Sequence, residues 1–255
     1  MHEYDLDFYS YNASLAIPSA NRIVPKLTAA IQVRSVVDFG CGEGAWQHVW
    51  AQAGVSVTGV DGPYIDRRRL LIDRRGFHAA DLAEPIDLGR NFDIVQSLEV
   101  AEHLPAAKAG QFVDTLTRHG SIVLFSAAVP GQGGENHINE QPLEYWRRLF
   151  GARGYAAVDY LRPLISRDPT IAPWYRYNTM LYIRKDTIVS LAEPVCRTRI
   201  SEDREPDNYW PFGYRLRHAV VRRLPRSIVN RLSQINAALP ASAAGKSLPR
   251  GQRYA

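Results

Sequence analysis

The sequence predicts an α/β protein: a doubly wound, mostly parallel seven-stranded sheet with helices on both faces and a C-terminal helical appendage. Three observations carry this reading. Seven short apolar or β-branched runs recur between Arg34 and Lys185. Stretches with helix-like apolar spacing alternate with most of them. Glycines and acids crowd the positions just after the strands. Such alternation yields parallel strands joined by helices, and in those sheets ligands bind beyond the carboxyl ends of the strands.

The elements follow in order. "SANRIVPKLTAAI" spaces its apolar residues as a helix does and closes a helical lead-in over residues 1–30. The main domain spans residues 31–186. "RSVVDF" is its first strand, ending in an acid and glycines, and "EGAWQHVWAQAG" is a helix closed by Gly54. "VSVTGVD" is the second strand, "DRRRLLIDRRG" a helix and "FHAAD" a short third strand. "FDIVQSL" and "SIVLFSAAV" are strands bracketing the helix "AAKAGQFVDTLTRHG". After the loop "PGQGGENHINEQ", the helix "PLEYWRRLFGARG" begins at Pro142, whose fixed φ suits a first turn. "YAAVDY" and "NTMLYIRK" close the sheet as a final pair.

Composition removes several function classes. Only Cys41 and Cys196 are present, which excludes a disulfide framework and fits a reducing cytoplasm. The acidic, aromatic start "MHEYDLDFYS" is unlike a signal peptide, and no apolar run reaches the ~20 residues of a membrane span. Met1 to Cys196 carries 19 Lys+Arg against 22 Asp+Glu, a net of −3, whereas Arg197 to Ala255 carries 12 against 4, a net of +8. The basicity therefore belongs to the extension over residues 187–255. There "YRLRHAVVRRLPRSIVNRL" interleaves arginine with apolar residues, a pattern for packing on its own domain or on a partner, or for peripheral contact with an anionic membrane or a nucleic acid. "SLPRGQRYA" ends the chain as a partly disordered tail. Because the main domain is not basic, a nucleic-acid partner is not expected.

The candidate site starts at "VVDFGCGEG". Gly40, Gly42 and Gly44 allow positive φ and close approach of a ligand to the backbone. The spacing departs from the G-x-G-x-x-G of dinucleotide folds, and Glu43 would repel a pyrophosphate but suits a cationic ligand. Asp38 precedes the loop, Asp61 and Gly62 end the second strand, Asp81 and Leu82 follow the third, and "FDIVQSLE" is the fourth. From Ile31 to Lys185 this series resembles the class I S-adenosylmethionine-dependent methyltransferases, whose sheet is Rossmann-like. The resemblance implies that "DFGCGEG" wraps the methionine part of that cofactor, with Asp38 at its border. It also implies that Asp61 holds the ribose hydroxyls, Asp81 and Leu82 border the adenine, and Ser97 and Leu98 flank the cofactor.

"SLEVAEHLP" adds two carboxylates and an imidazole. A helical turn there puts Glu99, Glu102 and His103 at i, i+3 and i+4, on one face. Such a group is costly to hold together unless hydrogen-bonded, partly protonated or neutralised by a cation. Carboxylate with imidazole suits Mg²⁺, Mn²⁺ or a similar divalent metal. His137, after the fifth strand, reaches the same sheet edge. Glu-x-x-Glu-His with a later His is similar to the metal-assisted O-methyltransferases, and by position the ligands are Glu99, Glu102, His103 and His137. The other reading needs no metal: the Glu accepts backbone amides, and His103 or His137 acts as general base on an alcohol. Asn136, Asn139 and Gln141 offer amide contacts to an acceptor, Tyr145 and Trp146 a stacking wall, and Trp174, Tyr175 and Arg176 a lid, with Tyr9 and Tyr11 as a cover near the start. The expectation is an O-methyltransferase for a hydroxylated small molecule such as a sugar or glycan intermediate. A nucleic-acid 2′-O-methyltransferase and a non-catalytic nucleotide-binding module are the alternatives.

Overall fold

The computed structural model describes residues 6–238, with side chains at 13–225 and 227–233. Seven strands form one sheet: β1 (Ser35–Phe39), β2 (Ser56–Asp61), β3 (Phe77–Ala79), β4 (Ile94–Leu98), β5 (Ile122–Ser126), β6 (Tyr155–Val158) and β7 (Met180–Arg184). Their spatial order is β3-β2-β1-β4-β5-β7-β6. The first five pair in parallel and β7 runs antiparallel to both neighbours. The expected doubly wound, mostly parallel sheet is present, and β1, β4 and β5 are buried along nearly their whole length, as central parallel strands must be.

The helices are α1 (Leu6–Ala30), α2 (Ala45–Gln52), α3 (Ala109–Arg118), α4 (Leu143–Gly151) and α6 (Pro173–Asn178), with single turns α5 (Arg162–Ile165), α7 (Lys185–Ile188) and α8 (Glu193–Cys196). The C-terminal segment supplies α9 (Phe212–Val221) and α10 (Arg226–Ala238). Among the described residues no helix is long and apolar enough to cross a membrane. Both cysteines are free thiols.

Two hydrophobic layers enclose the sheet. On one face Ile23, Val24, Leu27, Trp50, Ile94, Leu124 and Leu181 pack together; on the other, Val37, Phe39, Phe112, Leu116, Phe125, Trp146 and Phe150. The first layer joins what the sequence reading separated. Ala16, Ala20, Ile23, Val24 and Leu27 of α1 recur at helical intervals, are all buried and belong to the same core as α2 and the strands. The lead-in is thus part of the main fold.

One element differs from expectation. "DRRRLLIDRRG" is an irregular loop with a single 3₁₀ turn at Arg74–Gly76. Asp66 accepts the amide of Arg68 at 2.9 Å and Asp73 that of Arg75 at 2.9 Å. Aspartates capping their own backbone two residues on favour turns over helix. The segment folds back on the glycine loop instead, the Leu71 amide donating to the Glu43 carbonyl at 2.8 Å. The tail "SLPRGQRYA" lies outside the described residues.

Leu27→Ala checks that α1 is integral to the fold. Truncating a fully buried leucine costs about 2–5 kcal/mol, so chemical denaturation should show a loss of that size with one cooperative transition. A lead-in merely appended to the domain would lose a few tenths.

Candidate active site

A cavity of about 390 Å³ opens at the carboxyl ends of β1, β2 and β4. Gly40, Gly42, Asp61, Gly62, Asp81, Leu82, Leu98, Glu99, Glu102, His103 and His137 all line it. The parallel registers Asp38↔Gly59 and Asp38↔Gln96 align the strand tips, so residues far apart in sequence share one rim. Asp38 lines it too, whereas two expected residues do not: Ser97, buried within β4, and Gly44.

Backbone shape makes the glycine loop. Gly40, Gly42 and Gly44 have φ of 91°, 54° and 89°. A Cβ at Gly40 would run into the Val100 side chain, and one at Gly62 into the Tyr64 ring. At Gly40 the left-handed backbone and the close approach together call for glycine. Glu43 is less open to a cationic ligand than its sequence position suggested, because Arg69 pairs with it at 2.5 Å.

Behind the loop runs a buried polar relay. Trp50 Nε1 donates to Gln96 Oε1 at 2.9 Å, and Gln96 Nε2 donates to Asp38 Oδ2 at 2.9 Å. Since the indole only donates, it fixes which end of the Gln96 amide faces Asp38. Burial pushes the Asp38 carboxyl up to about 8, against the Gln96 bond and with repulsion from Asp61 adding. Asp61 accepts from Gly42 N at 2.7 Å, Gly62 N at 2.6 Å and Tyr64 Oη at 2.7 Å. Burial raises its carboxyl and these three bonds oppose the rise. A carboxylate has about four acceptor positions, so the described donors leave one for a ligand hydroxyl. Asp81 caps its own turn, accepting from Ala83 N at 2.9 Å.

The turn after β4 departs from the expected helical face. Only Ala101–His103 is helical, as a 3₁₀ turn, and Glu99 sits at φ 58°, a strained position for a side-chain-bearing residue. Its carboxylate accepts from Gln132 Nε2 at 2.6 Å, and Gln132 Oε1 in turn accepts from Asn178 Nδ2 at 2.7 Å. Burial raises the Glu99 carboxyl and the Gln132 bond opposes it. Glu99 therefore stands apart from the other three candidate ligands, which do converge. One ligand atom each from Glu102, His103 and His137 lies within 4.8 Å of the others.

The surroundings of those three fix their protonation chemistry. Glu102 is 0% exposed, and neither carboxylate oxygen has a well-formed hydrogen bond among the described residues. Burial drives its carboxyl well above the usual range, and the charge of Glu99 adds to the rise. His103 Nδ1 lies 3.2 Å from the Asn136 carbonyl, and His137 Nδ1 lies 3.0 Å from Glu140 Oε1. A carbonyl and a carboxylate can only accept there, which puts the proton on Nδ1 and the lone pair on Nε2 of both rings. Glu140 is held by the amides of Gly131 and Gly133 at 2.8 Å each; burial raises its carboxyl, but these bonds and His137 leave it below the ordinary value.

Several expected acceptor contacts turn out to be scaffolding. Asn139 is buried and bonds the Ala101 carbonyl at 3.3 Å, and Gln141 bonds Asn139 at 2.9 Å. Both fasten the loop; Asn136 does line the cavity. Trp146 is fully buried among Phe125 and Phe150, and neither it nor Tyr145 reaches the cavity. Trp174 and Tyr175 do reach it, while Arg176 does not. The side chains of Tyr9 and Tyr11 lie outside the described residues. Trp46, Gln132, Arg217 and Ser233 line the cavity without having been expected to. Arg217 comes from α9 and bonds the Gln132 carbonyl at 2.9 Å. The C-terminal segment is thus a roof over the site, more than an appendage.

The family model described as "Methyltransferase domain" matches residues 12–160. The chain belongs to the class I S-adenosylmethionine-dependent methyltransferases. The ubiquinone biosynthesis O-methyltransferase of Stutzerimonas stutzeri is 33% identical over 144 residues, covering 52% of this chain and 54% of that protein. That of Nitrosomonas europaea is 25% identical over 161 residues, covering 56% and 58%. The methyltransferase thus spans little more than half the length of these curated relatives. Among solved structures, the sugar N-methyltransferase KedS8 of Streptoalloteichus has a TM-score of 0.55 at 16% identity, covering 72% of this chain and 94% of that one. DesVI of Streptomyces venezuelae has a TM-score of 0.54 at 15% identity, covering 71% and 99%. These two likenesses establish the shared fold.

Asp38 gives this site a pH signature. An unfolded aspartate titrates near 3.8 and the buried one at about 8. Between those values the folded methyltransferase holds a proton that the unfolded chain has lost, so stability falls as pH rises. Asp38→Asn removes the penalty. In thermal melts the variant should gain on the wild type steadily from pH 5 to pH 8; a constant offset would show that Asp38 is not the titrating group.

Proposed function

We propose that the protein moves the methyl group of S-adenosylmethionine to a hydroxyl oxygen of a small molecule, with a divalent metal assisting. One observation carries the reading: a single cavity brings together the glycine loop, Asp61 and the Glu102–His103–His137 cluster. The sign of the cavity agrees. Its lining includes Asp61, Asp81, Glu99, Glu102 and Glu135, besides a Glu43 already paired with Arg69 and an Asp38 that holds a proton near neutral pH, against one arginine, Arg217. Such a lining favours a sulfonium, an ammonium or a metal ion and disfavours a phosphodiester chain.

In this reading Gly40–Gly44 and Asp38 embrace the methionine part, the remaining acceptor position of Asp61 takes a ribose hydroxyl, and Leu82 flanks the adenine. The acceptor enters beside Trp174, Tyr175 and Asn136. Its oxygen attacks the methyl carbon as the carbon–sulfur bond breaks, and the sulfonium becomes a neutral thioether. Without a metal the alcohol proton would pass to Nε2 of His103 or His137, whose Nδ1–H donors are already engaged; were those nitrogens to hold a metal, the proton would leave to solvent instead. The site's main work is alignment of oxygen, carbon and sulfur, which the rigid strand tips provide.

The metal reading rests on the donor set. An orphaned buried carboxylate beside two imidazoles with their lone pairs on Nε2 fits a divalent cation. Glu102, His103 and His137 would hold it, with Glu99 near enough to raise the Glu102 carboxyl. A bound divalent ion lowers the pKa of an alcohol and orients neighbouring hydroxyls. The O-methyltransferase names of the curated relatives support oxygen as the methylated atom. A sugar or glycan intermediate, with its adjacent hydroxyls, suits that chemistry.

Two measurements test this. Calorimetry should show S-adenosylhomocysteine binding in clear preference to NAD, with Asp61→Ala weakening it roughly 10- to 150-fold, the value of a hydrogen bond to a charged group. Preferential NAD binding would defeat the proposal. For the metal, Mn²⁺ or Mg²⁺ should raise the melting temperature of chelator-treated protein. Glu102→Gln should abolish that shift; an equal shift in the variant would remove the three-residue site while leaving methyl transfer standing.

A further inference from the structure

Helices α9 and α10 carry a surface that the chemistry of the cavity leaves unused. Their inner sides are docked. A Cβ at Gly131 would strike the His218 carbonyl, and one at Gly133 would lie 3.0 Å from Val229 and 3.2 Å from Val221. The Tyr214 ring packs 5.0 Å from Tyr177 and 4.4 Å from His218. On the outer side of α9, Phe212, Leu216 and Val220 recur at i, i+4 and i+8 and are 80%, 57% and 51% exposed. On α10, Ile228 and Leu232 repeat the spacing and are also exposed. These five residues form stripes opposite the docked sides.

The charge pattern accompanies the stripes. Between Phe212 and Leu232 there are six arginines, at 215, 217, 222, 223, 226 and 231, and no Asp or Glu. The exposed Arg215, Arg222, Arg223 and Arg231 form no ion pair with a described residue, in a protein whose other surface arginines often do. Large apolar side chains ordered at helical spacing on the surface, flanked by uncompensated cations, are the makings of an interfacial helix. Such a helix sinks its apolar stripe to the headgroup boundary while arginines reach lipid phosphates.

We propose that the outer face of α9 and α10 docks on an anionic lipid bilayer. A second copy of the chain fits poorly, because apposing the faces would bring two arginine clusters together. A nucleic acid would satisfy the arginines and leave the apolar stripe without use. Arg217 and Ser233, on the same helices, line the cavity, so docking sets the roof of the active site against the membrane. The proposal stands independently of the methyl-transfer reading.

Co-sedimentation of the full chain with vesicles tests it, comparing phosphatidylcholine alone with phosphatidylcholine containing phosphatidylglycerol. Strong partitioning to the anionic vesicles is expected. Phe212→Ser with Leu216→Ser should lower the partition coefficient about tenfold or more, the weight of two large apolar groups. Arg222→Gln with Arg223→Gln should weaken binding and flatten its salt dependence. Melting temperature and S-adenosylhomocysteine affinity should stay unchanged in both variants, which separates lost docking from lost folding. Equal binding to neutral and anionic vesicles, or wild-type binding by the serine variant, would overturn the proposal. So would a dimer in sedimentation velocity that the serine substitutions dissociate, or RNA binding that they leave intact.

Discussion

The carbonyl of Glu102 accepts the amides of both Ile138 and Asn139, each at 2.9 Å, and the candidate active site depends on that pair. Glu102 leaves β4 on a 3₁₀ turn, and His137 lies on a loop beyond β5. Parallel pairing of β4 with β5 brings both exits to one edge, but adjacent edges alone do not aim side chains. The doubled hydrogen bond does, in a buried setting where an unmade bond is costly. It fastens the His137 loop onto the Glu102 turn, so that Glu102, His103 and His137 face one another. Asn139, bonding Ala101, and Gln141, bonding Asn139 and Ala128, reinforce the same junction.

From that junction the order spreads outward. Glu140 clamps the Gly131 and Gly133 amides and orients His137 at once, so one carboxylate shapes the loop and sets an imidazole tautomer. The loop so shaped is the platform for α9: glycine at 131 and 133 leaves the room that His218, Val221 and Val229 occupy. Gln132, between those glycines, then meets Glu99 through its side chain and Arg217 through its carbonyl. The C-terminal helices, the acceptor loop and the strained Glu99 are thereby mechanically continuous. Two hydrogen bonds of one residue, Gln132, link the roof to Glu99.

How much of this was legible follows from which forces act locally. The strands, the glycine loop and the acids at the strand tips were readable because β-branched runs and glycine turns are properties of short stretches, and parallel pairing then converts sequence position into spatial position. The segment "DRRRLLIDRRG" misled because its apolar spacing suits a helix while Asp66 and Asp73 prefer their own neighbours' amides, a competition that periodicity does not weigh. The helical face of Glu99, Glu102 and His103 failed for a similar reason: the Glu99 amide stays with Ser126 of β5, at 3.0 Å from its carbonyl, and the chain must turn through positive φ before any helix starts. Asn139 and Gln141 looked like ligand contacts because an amide that binds sugar and an amide that staples a loop are the same residue type. Arg217 and Ser233 had no local signal at all, since their role comes from docking across the molecule.

The acids of the cavity pose one further physical question, which is why the fold tolerates them. Asp38, Asp61 and Glu102 are buried and Glu99 is half-buried, and each has its carboxyl displaced upward by desolvation. Asp61 is answered by three donors and Glu99 by amides, whereas Asp38 has one good donor and Glu102 only the poorly aligned backbone amides of its own residue and Ala128. The least satisfied two therefore line one cavity, Asp38 on the glycine-loop side and Glu102 in the imidazole cluster. Asp38 meets its burial by holding a proton and accepting the Gln96 amide, whereas Glu102 calls for a donor or a positive charge, which the divalent cation proposed above would bring. A cation on either side makes the remaining acids easier to ionise by removing negative potential from a shared low-dielectric space. A ligand at the glycine loop would thus bear on a cation at Glu102 through electrostatics.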